Sequence, residues 1–157
     1  YRDHDFEVFI DPMGDGEQYF EIEINVLGTI MDLFMNKPYK KGGTFDLGWN
    51  TTGILSKVIA NGTINDNSDI DSGWTVEIAI PFKAISRTQR AATPSLLNPW
   101  RINFSRVQWT LESDGKTYRK KLNQNNNPIS EHNWVWNPTG VIDMHLPTKW
   151  GYLYFKN

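Results

Sequence analysis

Cysteine is missing altogether from the 157 residues, which excludes disulfides, thiolate nucleophiles and cysteine-ligated zinc. It leaves the compartment open. Histidine is scarce: His4, His132 and His145 are the only three, and their positions share no metal-ligand spacing. An excess of positive charge is also lacking, since 16 Lys and Arg stand against 18 Asp and Glu for a net charge of -2. No basic stripe could neutralise a phosphate backbone, which argues against nucleic acid as a partner. The longest basic run, Tyr118 to Lys121, is followed by "LNQNNNP" and reads as a solvated hairpin end. No window approaches the roughly 20 apolar residues that cross a bilayer, so no membrane insertion is expected. There is no G-x-S-x-G, no phosphate loop and no H-E-x-x-H, so nothing marks the chain as an enzyme.

Aromatic residues, in contrast, reach 13% of the chain and include 7 tryptophans, a surplus that serves cores and recognition surfaces alike. Strand-period alternation opens the sequence. In "DFEVFID" Phe6, Val8 and Ile10 face one way and Asp5, Glu7 and Phe9 the other. "DPMGDG" makes a turn, and "EQYFEIEINV" alternates again, with Glu21 and Glu23 expected on a wet face. Further strands fit "TIMDLFM", "ILSKVIAN", "GWTVEIAIP", "PWRINFSRVQWTL", "GVIDM" and "WGYLYF". "FKAISRTQ" is the only short helical stretch, and "KKGGTFDLGWN" reads as a glycine-rich loop. Many short strands punctuated by Gly, Pro and Asn predict an all-β, antiparallel β-sandwich, immunoglobulin-like or jelly-roll-like, with residues 1–157 forming one domain. The chain opens on a strong strand with almost no lead, so N-terminal strands are expected to be missing.

Three constellations attract attention. Trp134 and Trp136, two apart in "HNWVWNP", share a face if extended; they either seal the end of the core or form a platform for something flat. His132, Asn133 and Asn137 beside them are suitable hydroxyl partners for a pyranose stacked on an indole. Arg106 shares a strand face with Ile102 and Phe104, which makes it either a structural ion pair or a fork at the rim of a site. Asp11, Asp15 and Glu17 resemble the opening of a calcium loop. Met13 and Ile22 stand where an EF-hand needs oxygen ligands, leaving only a looser oxygen cage, and the cluster Asp66, Asp69 and Asp71 offers another.

Taken in order, "DHDFEVFIDPMGDGEQYFEIEIN", "GWTVEIAIPFKAI", "WRINFSRVQW" and "NWVWNPTGVIDMHLPTKWGYLYF" resemble the carbohydrate-binding domains of the family 9 type, in the branch common in gut and soil bacteroidetes. That resemblance implies a DOMON-like β-sandwich exported to the periplasm, cell surface or medium, acting in polysaccharide breakdown beside a fused or neighbouring glycoside hydrolase module. It further implies a mono- or oligosaccharide held between two tryptophans, with structural calcium nearby. Trp134 or Trp136 matches the region of one such tryptophan, Trp49 is the candidate for the other, and Arg106 is the polar contact. Two other readings remain in competition. Some DOMON-like relatives carry haem for electron transfer on Met and His; here Met144 and His145 are adjacent and point to opposite faces of a strand, which leaves Met13, Met31 and Met35 as the other partners. The domain could instead be a scaffold with a degenerate pocket, in which case both tryptophans are expected to be buried.

Overall fold

The computed structural model describes residues 3–66, 68–86, 94, 96–115 and 117–156. Eleven strands account for its regular structure: β1 (Asp5–Asp11), β2 (Tyr19–Asn25), β3 (Ile30–Met35), β4 (Phe45–Asp46), β5 (Leu55–Asn61), β6 (Gly73–Ala79), β7 (Trp100–Gln108), β8 (Leu111–Ser113), β9 (Tyr118–Lys120), β10 (His132–Val135) and β11 (Gly151–Leu153). All pairings are antiparallel. The all-β expectation is met.

The main sheet has seven strands in the order β10-β7-β1-β2-β3-β4, with β11 also on β7. β7 is its pivot. One side runs along the whole of β1, from Asp5↔Val107 to Asp11↔Arg101; the other is shared by β10 at its C-terminal half and β11 at its N-terminal half. The two-residue side-chain period sends Val8, Ile10, Phe20, Ile22, Ile24, Phe34, Trp100 and Ile102 to one face, where they form the main core. The β5–β6 hairpin closes that face with Val58, Val76 and Ile78, giving a second layer. Burying each such side chain contributes roughly 1.5–3 kcal/mol. The hairpin between β2 and β3 follows from "NVLGT": the Asn25 side-chain oxygen accepts from Leu27 and Thr29, and Gly28 takes φ +78°.

The second face of the sheet departs from expectation. Alternation in β1 and β2 predicts a wet face, yet Glu21 and Glu23 are each only 5% exposed. The cause is the segment after β10, which folds back over this face. Trp150 is its anchor: the indole packs on Phe9 and Tyr19, with centroids 5.4 and 5.2 Å away, and donates to the Met144 carbonyl at 2.8 Å. "GVIDM" forms loop rather than strand, because it spans this cover instead of pairing with a sheet edge. The predicted helix is a single 3-10 turn at Phe82–Ala84; the rest of "FKAISRTQ" from residue 87 lies outside the described residues.

Asn103 ties the cover to the sheet. Fully buried on β7, its amide donates to the Asn137 carbonyl and accepts from the Asn137 N–H, both at 2.9 Å. Asn103→Ala therefore leaves two backbone groups unsatisfied at the point where the chain leaves β10. The expected loss is about 2–3 kcal/mol in urea unfolding, without change of secondary structure by circular dichroism.

Candidate functional site

Strand β10 divides its side chains between two surfaces. His132, Trp134 and Trp136 alternate to the core-side face, beyond the edge of the β5–β6 layer, while Asn133 and Val135 face the acidic side. Trp134 is 58% exposed and Trp136 57%. They do not plug the sandwich. Trp136 continues the ladder, its N–H bonded to the Phe104 carbonyl at 3.0 Å, and its ring meets Phe104 edge-on at 5.7 Å. Its ring tip occupies the space above Gly151, where a Cβ would lie 2.3 Å from the indole Cζ3; only a glycine lets the ring lie this close to β11. His132 tilts against Trp134 at 6.1 Å, so three flat rings run along one strand face.

Arg106 lies opposite Trp134 on β7. Its guanidinium donates to the Asp5 carbonyl at 3.0 Å, to the Val107 carbonyl, and to the Gln108 side chain at 2.8 Å, and it lies 5.4 Å from the Trp74 ring. It clamps backbone at the end of the β1–β7 ladder and holds Trp134's neighbourhood rigid. Trp49 is not part of the platform: it packs into the main core against Phe20, with centroids 4.7 Å apart. The glycine-rich loop that carries it folds inward because Phe20 and Phe34 leave an apolar gap that the indole fills.

On the acidic side β10, β7, β1 and β2 form the floor of a cavity of about 460 Å³, walled by residues 138–145 of the covering segment. Asp5, Glu7 and Glu21 line it together with Phe9, Trp109, Asn133 and His145, and none of the described lining residues is Lys or Arg. Burial, reinforced by the neighbouring Asp5 charge, pushes the Glu7 carboxyl up to about 8; Glu21 is raised by the same causes, with Glu7 as the nearby charge. His145 moves the other way, down to about 4, because its imidazole is enclosed by Phe9, Tyr19 and Tyr39. It is neutral at pH 7. Strand alternation did not announce this cavity, because the pattern that exposed Glu21 and Glu23 on paper says nothing of the loop that covers them.

No protein-family model, curated protein or solved structure matches this chain.

The residues singled out for calcium are not gathered around an ion-sized space. The Asp11 carboxylate accepts from the N–H groups of Met13, Gly14 and Gly16 at 3.1, 2.8 and 2.8 Å, and Asp15 accepts from Glu17 N–H at 3.0 Å. These oxygens fold the loop after β1, as Asx turns do. Asp66, Asp69 and Asp71 likewise receive Ser68 and Thr63. Met144 and His145 both line the cavity, since their segment is loop and the opposite-face argument does not apply. His145 is held through Nδ1 by the Tyr19 hydroxyl at 2.9 Å. Among the described residues no helix is long and apolar enough to cross a membrane.

Proposed function

We propose that the domain is a non-catalytic carbohydrate-binding module, exported, that brings a partner glycoside hydrolase to its polysaccharide, as the resemblance to the family 9 type implies. The observation that supports this best is the open ring platform of β10. Two indoles two residues apart on a strand stand roughly 7 Å from one another, a spacing that lets successive pyranose faces stack on them. A pyranose presents a face of axial C–H groups to such a ring, while its hydroxyl edge finds the His132 imidazole and the amide of Gln108, which is paired with His132 across the ladder. The scaffold reading requires both rings buried; more than half of each is exposed. The haem reading gains no support from His145, whose Nδ1 is engaged by Tyr19.

Calorimetry and glycan-array binding test this directly. The wild type binds at least one plant or microbial oligosaccharide, and Trp134→Ala weakens that binding about 30-fold, the effect of losing about 2 kcal/mol at an aromatic anchor. Absence of binding to every glycan, or full affinity in Trp134→Ala and Trp136→Ala alike, refutes the reading.

A further inference from the structure

We propose that Tyr152, Tyr154 and Arg101 form a second ledge, on the sheet face opposite the β10 platform, that takes an acidic polysaccharide by the carboxylate of a uronate residue. The ledge follows from alternation. Leu153 and Phe155 pack on the main core, where Phe155 meets Trp100 and Phe82 with ring centroids 4.9 and 5.6 Å away. Exposure therefore continues to alternate past the end of β11, and Tyr152, Tyr154 and Lys156 are turned to solvent. Both phenol rings are more than half exposed, and their centroids stand 6.1 Å apart. Gly151, under the Trp136 ring, and Leu153 belong to the other side, so the two aromatic surfaces lie back to back across the strand.

Charge selects the ligand. Residues 149–157 carry Lys149 and Lys156 and no acidic residue, in a chain whose net charge is -2. Arg101, across the ladder from Tyr152, lays its guanidinium on that ring, with Cζ 3.8 Å from the centroid. Its Nη1 donates to the Trp150 carbonyl at 2.9 Å, which fixes the plane of the group. Nε and Nη2 bond to no described residue, so one edge of the fork is open. Asp11, the cross-strand neighbour of Arg101 on β1, does not fill that edge, because its carboxylate accepts from the N–H groups of Met13, Gly14 and Gly16. A carboxylate is the anion whose two oxygens match two parallel N–H groups of a guanidinium. A pyranose that carries one on its ring also presents the C–H face that stacks on a phenol. Uronate joins both in one unit, whereas an acidic side chain has the charge without the stacking face. The guanidinium is already held by ring and carbonyl, so little side-chain freedom is lost on binding.

The ledge rests on the sugar-binding reading for the class of ligand alone and shares no residue with the β10 platform. Calorimetric titration in chelator-containing buffer compares polygalacturonate, its methyl ester and polyglutamate. The wild type binds the free acid, binds the ester about tenfold less tightly, and gives no heat with polyglutamate. Tyr154→Ala weakens polygalacturonate binding about tenfold, and Arg101→Lys, which keeps the charge and loses the planar fork, does the same. In Trp134→Ala, where the β10 anchor is gone, polygalacturonate still binds. Arg101 also holds the Trp150 carbonyl, so unfolding midpoints accompany the titrations; Tyr154→Ala removes only an exposed ring and reads the ledge without disturbing the fold. No heat with polygalacturonate overturns the proposal, as does equal affinity for the ester or for polyglutamate, or full affinity in Tyr154→Ala. Polygalacturonate binding that is lost in Trp134→Ala moves the site to β10 and overturns it too. Failure of neutral glycans to bind, with the uronate results intact, ends only the β10 reading.

Discussion

In chelator-containing buffer the domain loses stability as the pH rises from 6.5 to about 8, by about 2–4 kcal/mol, seen as a fall of roughly 5–15 °C in unfolding midpoint. Three carboxyls produce the effect. Burial raises Asp5 to about 7 and Glu7 to about 8, and raises Glu21 as well. In each case the folded-state value lies above that of the unfolded chain, so the native state holds protons that the unfolded chain has released. Stability is greatest below the unfolded value and is lost as pH climbs through the folded one. His145 does not mask this window. His145 has a folded value of about 4 against 6.5 unfolded, so its contribution changes only below 6.5. Arg106 stays charged throughout, and burial moves the Tyr19 hydroxyl further above this range. Glu21→Gln flattens the profile and raises the midpoint at pH 8, because it removes one buried charge without changing shape. Differential scanning fluorimetry across the range checks this. A flat or rising midpoint between pH 6.5 and 8 contradicts the assigned direction.

The contrast between what alternation predicts and where the glutamates lie has a general cause. Period-two patterning reports that successive side chains go to opposite faces; in β1, β2, β6 and β7 it placed both the strands and their apolar face, and in β5 the strand alone. It is silent about what covers the second face. Phe9, Tyr19 and Leu33 were the available warning: three large apolar side chains share the side that carries Glu7, Glu21 and Glu23, and a fully solvated face has no use for them. Trp150, 131 residues further on than Tyr19, supplies the cover. A contact of that sequence separation leaves no local trace. The same limit applies to Arg106, whose apolar-face position was legible and whose partners were not: it bonds to backbone carbonyls, and every residue has one. Trp134 and Trp136 were placed on one face by spacing alone, but their exposure depends on where the β5–β6 layer ends. That boundary is a tertiary fact.

Replacing Trp134 and Trp136 together by alanine is expected to lower sugar affinity on the order of 1,000-fold, close to abolition for a ligand bound in the micromolar range. Each ring supplies about 2 kcal/mol if it acts as an interface anchor, and two rings on one strand face engage neighbouring parts of the same ligand, so the losses combine, with an error set by their coupling. The fold is expected to survive, because more than half of each ring faces solvent and Arg106 clamps the ladder through backbone carbonyls that the substitutions leave untouched. Gly151→Ala separates ring position from ring presence. The new methyl group meets the tip of the Trp136 indole rather than backbone, so the ring is displaced while both tryptophans remain. Affinity falls about tenfold in that variant, with an unfolding midpoint near wild type, if the flatness of the surface matters. Were Gly151→Ala to bind sugar as the wild type does while the double alanine variant does not, the rings would act as independent greasy contacts rather than as one surface. Wild-type affinity in the double variant would place any sugar site elsewhere on the molecule.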